Sequence, residues 1–334
     1  MKHGARRGRI LCGVDYKGID LRIFCYLCTC KPLLQFMEKK DRKRVALVLS
    51  SGGARGFAHI GAIEALEQAG YDITSVAGTS MGALIGGMYA AGKLKEVKEW
   101  LVGLDRKQVF ALVDFSLSMN HVVKGSRVME ALGRIVPDVN IEDLRLPFCA
   151  VATDLTMGRE VDFTHGSLLN AVRASISVPS FLRPVHREGA VLIDGGIVNP
   201  LPLDRVCRHE DDLLVAVNVN APLDPTYDHI RRRARQRLKA AGSSIWQKLL
   251  PEPKEVDSNY YSLLSTTFSI MIQKNAERSL RLLPPDICVN IPINRFGEFD
   301  YDRAGRIVRT GKAAMRQALA EWRAAQGTKA DGAH

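Results

Sequence analysis

A strand followed by a helix occurs twice in succession between residues 45 and 91, and this alternation limits the fold more than any other feature. The four segments are "VALVLS" (45–50), "FAHIGAIEALEQAG" (57–70), "DITSVAGTS" (72–80) and "MGALIGGMYAAG" (81–92). The first and third are short and rich in β-branched residues, whereas the second and fourth carry apolar residues at helical spacing. Because neighbouring parallel strands need a crossover connection, the sequence predicts a parallel sheet covered by helices.

The rest of the chain continues the same alternation. Short apolar runs predict strands at 147–155, 190–196, 213–220 and 286–291. Helices are predicted at 168–174, 259–282 and 302–325, with a mostly helical middle at 94–145. We therefore expect one α/β domain over residues 45–325, between a basic, Cys-containing extension (1–44) and a flexible tail (326–334). Within the extension, Met37 is a candidate start because "MEKKDRKR" runs directly into the first strand.

The charge of the chain is concentrated in two segments. Of the 334 residues, 46% are apolar and 25% charged, which suits a globular protein, and the net charge is +11. Residues 1–36 hold seven Lys/Arg against two Asp, and residues 230–250 hold seven Lys/Arg and no acid. The remainder is close to neutral, so a nucleic-acid-binding surface spread over the fold is not indicated. No apolar run reaches the roughly 18–20 residues of a spanning helix.

The seven cysteines do not look like a disulfide framework, because four crowd the first 30 residues and three are scattered. We expect a reducing cytoplasm. Cys25, Cys28 and Cys30 resemble half of a zinc site, but no second Cys/His pair follows at a suitable spacing. Neither a metal nor an organic cofactor is expected.

Ser80 stands in "GTSMG" (78–82), where a predicted strand meets a predicted helix. A G-x-S-x-G match alone is weak, but this context is that of a nucleophile elbow. The flanking glycines would allow a strained, closely packed backbone, and the following helix would favour negative charge near the serine. The alternative is a structural glycine-rich turn.

The loop "SGGARG" (51–56) has adjacent glycines that let several backbone N–H groups point at one place. Such a cluster suits an oxyanion hole, to which Gly52 and Gly53 would contribute. Arg55 would add charge there or serve as a structural ion-pair partner. A phosphate-binding loop is a rival, although the loop lacks the G-K-[ST] ending and does not match the dinucleotide-binding pattern.

Asp194 ends an apolar strand in "LIDGGIVNPLP" (192–202), where a carboxylate is costly unless it is paired, solvated or functional. It is a candidate general base, and the alternative is a turn-forming Asp. Histidine is the usual base, but His59 directly follows the glycine loop and reads as structural. His209 and His229 follow Asp194 in the chain without a marked strand-and-loop context.

These motifs together resemble the patatin-like acyl hydrolases, in particular the compact bacterial relatives of neuropathy target esterase. The resemblance rests on "GGARG" with His59 and Gly61, on "GTSMG", on "DGG" with Asn199 and Pro200, and on "RASISVPSFLRPV" (173–185) with Pro179, Phe181 and Pro184. It runs from about Val45 to Asn220 and more weakly beyond. Ser51 is a departure, since members often have another glycine there.

The resemblance implies a three-layer α/β/α fold with a mainly parallel central sheet, and a dyad without histidine. Ser80 would be the nucleophile and Asp194 its base, with Gly52 and Gly53 lining the oxyanion hole and Arg55 beside it. The implied activity is hydrolysis of lipid carboxylic esters, of phospholipids or lysophospholipids, through an acyl-enzyme. Three other hypotheses for the function remain: an esterase that uses His209 or His229, a non-catalytic lipid-binding scaffold, and a nucleotide- or phosphate-binding protein.

Residues 230–250 place Ala234, Leu238, Ala241, Ile245 and Leu249 at helical spacing, with arginines over much of the remaining surface and Trp246 adjacent. A basic amphipathic helix of this kind is a candidate for contact with an anionic membrane. We therefore expect a cytoplasmic protein that contacts the inner face of the membrane peripherally. A solvated surface helix is the alternative, and the oligomeric state is left open.

Overall fold

The computed structural model describes residues 43–104, 108, 126–179, 182–227 and 260–331. All of them belong to one unit, Lys43–His334. Several predictions lie outside these residues: the extension apart from its last two residues, the basic segment 230–250, Phe181 and His229.

The described residues form one mixed sheet of eight strands in the order β5-β6-β3-β2-β1-β7-β8, with β4 paired to β3 off this path. The strands are β1 (Arg44–Leu49), β2 (Asp72–Thr79), β3 (Phe148–Asp154), β4 (Arg159–Phe163), β5 (Val185–Arg187), β6 (Ala190–Asp194), β7 (Leu213–Ala221) and β8 (Ile287–Pro292). Four neighbouring pairs are parallel: β3 with β2, β2 with β1, β1 with β7, and β7 with β8. The pairs that involve β4, β5 and β6 are antiparallel.

The helices of the described part cover both faces of this sheet. They are α1 (Ala58–Gln68), α2 (Met81–Ala90), α3 (Leu94–Gly103), α4 (Ser126–Ile135), α5 (Leu168–Ser175), α6 (Tyr260–Leu282) and α7 (Ala304–Asp331). Successive residues of β1 point to opposite faces of the sheet and pack in different hydrophobic clusters. Leu47 packs in the large cluster with α1, α2, α5 and α7, whereas Val48 packs on the other face with Ala276 of α6. The expected α/β architecture with a mostly parallel sheet is confirmed.

The last helix is longer than the sequence predicts. α7 continues to Asp331, so residues 326–331 are helical where a flexible tail is expected. Residues 324–331, "AAQGTKAD", contain good helix formers and no proline, and one glycine is not enough to end the helix. In the described residues no helix combines the length and the apolar character that crossing a membrane requires.

The register on β3 brings the ends of β2 and β6 together. Val151 pairs with Thr79 on β2, and the next residue, Ala152, pairs with Asp194 on β6. Both partners lie on the same edge of β3, because β4 occupies the other edge opposite the same two residues. β2 runs parallel to β3 and β6 antiparallel, so their carboxyl ends meet head to head. Ser80, which follows Thr79, is thereby placed beside Asp194.

Candidate active site

Ser80 lies on the tight turn between β2 and α2. Its backbone has φ 56° and ψ −121°, a strained conformation that residues with a side chain rarely adopt. The flanking glycines are required by close packing: a Cβ at Gly78 would overlap the backbone of Gly82, and a Cβ at Gly82 would overlap the carbonyl of Leu49. The turn therefore has the geometry of a nucleophile elbow.

The backbone of the elbow is hydrogen-bonded to the side chain of Ser175, the last residue of α5. The Ser80 N–H donates to Ser175 Oγ at 2.8 Å, and that hydroxyl donates to the carbonyl oxygen of Val151 at 2.5 Å. α2 begins immediately after Ser80, with Leu84 N–H donating to the Ser80 carbonyl at 3.0 Å. The positive end of the α2 dipole thus lies at Ser80 and favours negative charge there.

Asp194 is buried and its backbone is fixed on both sides. Its N–H donates to the Ser177 carbonyl at 2.9 Å, and its carbonyl accepts from Thr153 Oγ1 at 3.0 Å. Of the carboxylate oxygens, Oδ1 accepts from the Gly196 N–H at 2.7 Å. Oδ2 is buried and has no hydrogen-bond partner among the described residues. One oxygen therefore anchors the carboxylate, and the other is available to accept a proton.

The electrostatics of the site keep Asp194 close to the point of ionisation at neutral pH. Burial raises the pKa of Asp194 from 3.8 to about 7, opposed by the nearby Ser80 hydroxyl and by the hydrogen bond from the Gly196 N–H, and assisted by the nearby Glu298 carboxylate. A carboxyl group with a pKa near 7 can both take and return a proton, which a general base in a two-step reaction must do.

The predicted glycine loop faces the same cleft. Gly52 has φ 156° and Gly53 has φ 54°, and a Cβ on either would overlap Val219 or Glu298. Their two N–H groups donate to no acceptor in the described part of the chain, although the neighbouring amide of Ser51 donates to the Pro200 carbonyl at 2.9 Å. Two unused backbone donors in a cleft with Ser80 suit the oxyanion-hole role.

Arg55 is 5% exposed and holds the loop against the end of β7. Its Nε donates to the Val219 carbonyl at 3.2 Å, and its second guanidinium nitrogen donates to Asn220 Oδ1 at 3.2 Å. Asn220 in turn donates from Nδ2 to the Ser51 carbonyl at 2.7 Å. Burial lowers the pKa of Arg55, opposed by the charge of Glu298. Its bonds favour a supporting role, although the residue also lines the cleft.

No histidine of the described residues lines the cleft. His59 is fully buried, its Nε2 donates to the Ser50 carbonyl at 2.8 Å, and burial lowers its pKa to about 4. The His209 N–H bonds to Asp212, which also binds Arg44 at the start of β1. His209 therefore lies at the amino end of the parallel strands, whereas Ser80 lies at the carboxyl end.

Three groups at the site have no counterpart in the sequence predictions. Ser175 lies inside the family-like segment 173–185 but carries no local signal for its bond to Ser80. Glu298 approaches from a loop far along the chain and packs against Gly53. One face of α6 lines the cleft through Leu264, Ser265, Phe268, Ser269 and Ile272. Among the described residues no group of His, Cys, Asp and Glu could hold a metal ion.

The chain is similar to known proteins over most of its length. Residues 47–206 match the family model described as patatin-like phospholipase. An NTE family protein of Mycobacterium tuberculosis is 32% identical, over 83% of this chain and 91% of its own length. Patatin-like phospholipase domain-containing protein 6 of Homo sapiens is 31% identical, over 77% of this chain but only 19% of its own length. The chain belongs to the patatin-like phospholipase family.

Among solved structures, VipD from Legionella pneumophila has a TM-score of 0.44 and 15% identity, and the match covers 84% of this chain and 67% of the VipD chain.

The patatin-like phospholipase family consists in general of lipid acyl hydrolases, so this chain is a member of a hydrolase family of lipid metabolism.

Proposed function

We propose that the protein is a serine acyl hydrolase that cleaves carboxylic esters of phospholipids or lysophospholipids through a Ser80–Asp194 dyad. The observation that carries the proposal is the pairing of a strained serine turn with a buried carboxylate oxygen that has no other partner. The resemblance of the chain to lipid hydrolases supports the same assignment.

In the proposed reaction, Ser80 Oγ attacks the ester carbonyl while its proton passes to Asp194 Oδ2. The carbonyl π electrons move onto oxygen, and the N–H groups of Gly52 and Gly53 stabilise that oxyanion. When the oxyanion collapses, the ester C–O bond breaks and the leaving alkoxide takes the proton from Asp194. Asp194 then takes a proton from a water molecule, which attacks the carbonyl of the acyl-enzyme. When the second oxyanion collapses, the bond between the acyl carbon and Ser80 Oγ breaks, Asp194 returns the proton to Ser80 Oγ, and the fatty acid is released.

The walls of the cleft favour an acyl chain as substrate. Apolar side chains come from α6 (Leu264, Phe268 and Ile272), from the loop after α5 (Val178) and from the turn after Asp194 (Ile197). An alkyl chain gains free energy from leaving water for such a surface. A nucleotide would bring phosphate charge into the cleft, and the described lining offers the buried Arg55 alone as a cation, beside the acidic groups of Asp194 and Glu298.

The test is fatty-acid release from phosphatidylcholine and lysophosphatidylcholine by the purified chain and its Ser80→Ala variant. Ser269→Ala is the matched control, since Ser269 lines the same cleft on α6. We expect release by the wild type and the control and loss of release in Ser80→Ala. Absence of release by a folded wild type on all lipid esters would favour the scaffold reading, and retained release by Ser80→Ala would refute the dyad.

The peripheral membrane contact of residues 230–250 stays a prediction, since that segment lies outside the described residues. The cytoplasmic location also stays a prediction.

A further inference from the structure

Helix α6 has two distinct faces along its length. At 3.6 residues per turn, the residues that line the cleft fall on one side of the helix. The opposite side, which we call the outer face, exposes Leu263, Thr267, Ile270, Met271, Lys274, Arg278 and Arg281, with the half-buried Glu277 among the last three. The cleft explains the apolar residues of the first side. Nothing in the described fold covers the apolar residues of the outer face.

The side of α6 opposite the outer face is fixed against the fold next to Asp194. Asn275 Nδ2 donates to the Ile197 carbonyl at 2.9 Å, and Ala276 is buried in the core beneath the sheet. These contacts hold α6 against the loop that follows Asp194. The exposed apolar residues occupy the same turns of the helix as Leu264 and Ile272, so they lie across the width of α6 from the lining of the cleft.

Several apolar side chains of this region are exposed close together. Leu263 and Ile270 are each 53% exposed, and Met271 is 41% exposed. Val198, on the loop that binds Asn275, is 37% exposed. Apolar side chains grouped on one helix, rather than scattered singly, mark an interaction surface.

The same face becomes cationic towards its carboxyl end. Lys274 lies 2.9 Å and Arg281 4.0 Å from the single carboxylate of Glu277, so one acid is shared between two cations. Arg278, between them on the same face, forms no ion pair within the described residues. An apolar half that continues into a positive half matches the interface of an anionic bilayer, where acyl chains lie beneath phosphates.

We propose that the outer face of α6 docks the protein on a bilayer that contains anionic lipids, with the cleft on the other side of the same helix. The proposal rests on the proposed function, because a lipid ester must leave the bilayer to reach Ser80. The charge of the face favours a lipid surface over a second copy of the chain, since two copies would bring like charges together.

The test is partitioning of the whole chain onto phosphatidylcholine vesicles with and without phosphatidylglycerol, measured by sedimentation. The variants are Ile270→Glu, Met271→Glu and Arg278→Glu. Val139→Glu is the matched control, because Val139 is an exposed apolar residue beside Ala90 and Ala91, at the end of α2 away from Ser80. Ile270→Glu should reduce the partition coefficient by about tenfold or more, and Val139→Glu should leave it unchanged.

Two further measurements distinguish an effect on docking from an effect on catalysis. Ile270→Glu should lower fatty-acid release from vesicles while turnover of a soluble ester, 4-nitrophenyl butyrate, stays at the wild-type level. Arg278→Glu should reduce binding only to vesicles that contain phosphatidylglycerol, and added salt should mask the difference. If the chain hydrolyses nothing yet partitions through these residues, docking stands and the proposed function fails.

Two outcomes would overturn the proposal. In the first, Ile270→Glu and Met271→Glu bind anionic vesicles as well as the wild type does. In the second, these substitutions change the molar mass measured by light scattering and leave vesicle binding intact, which would identify the outer face as a contact between copies of the chain.

Discussion

The buried carboxylate of Asp194 makes a quantitative prediction about stability. Replacing Asp194 by Asn keeps an acceptor for the Gly196 N–H and imitates the protonated acid. Because burial raises the pKa from 3.8 to about 7, ionising Asp194 in the folded chain costs about 4 kcal/mol more than in the unfolded chain. The asparagine variant does not incur this cost, so it should be more stable than the wild type at high pH.

The sign follows from proton binding. Between pH 4 and pH 7 the unfolded chain loses the proton while the folded chain retains it, so the stability of the wild type falls as the pH rises through this window. The free energy that the variant gains over the wild type should therefore increase by about 2–3 kcal/mol between pH 5 and pH 8. Urea unfolding of both proteins at the two pH values measures this difference.

Asp212→Asn is the matched control. Asp212 is also buried, but hydrogen bonds from Arg44 and Thr74 outweigh the effect of burial and lower its pKa. Its contribution to stability is present above its unfolded pKa and is lost as the pH falls, so Asp212→Asn should be destabilising at pH 8. Our account of Asp194 would be refuted if Asp194→Asn changed stability by the same amount at both pH values.

Three further predictions concern the site. The kcat/KM for ester hydrolysis should rise with pH through an apparent pKa near 7, because Asp194 must be ionised to accept a proton; a rate that is flat from pH 5 to pH 9 would contradict this role. Glu298→Gln removes a nearby negative charge that raises the pKa of Asp194, so the rise should move to lower pH, and an unchanged profile would show that Glu298 has no such influence. Gly82→Ala should destabilise the fold by about 1–3 kcal/mol, as overpacking does, because its Cβ would overlap the Leu49 carbonyl. Gly103→Ala, where no described residue lies near the added Cβ, should leave the melting temperature nearly unchanged.

Most of the parallel core could be predicted from the sequence, because each of its elements carries its own signal. β1, β2 and β7 are buried over most of their length, and β1 and the first five residues of β7 read as continuous apolar runs. β4 and β5 are short and largely exposed, so their composition does not separate them from loops. The antiparallel part of the sheet depends on their pairing and became visible only in the tertiary structure.

The same distinction applies to the candidate site. Ser80 and the loop at Gly52 could be found because their backbone geometry requires glycines at fixed positions, and Asp194 because an acid at the end of an apolar strand is costly. Ser175 and Glu298 could not be found, since each acts through a contact with a residue distant in the chain. The resemblance to a family supplied the roles that the residues alone left open.

Intact-mass analysis after treatment with a fluorophosphonate probe shows whether Ser80 is an activated nucleophile. We expect one adduct on the wild type and on Ser269→Ala, none on Ser80→Ala, and slower labelling of Asp194→Asn, because Asp194 takes the proton from the attacking hydroxyl. An adduct that persists on Ser80→Ala, or a folded wild type that forms none, would contradict the assignment of Ser80 as an activated nucleophile.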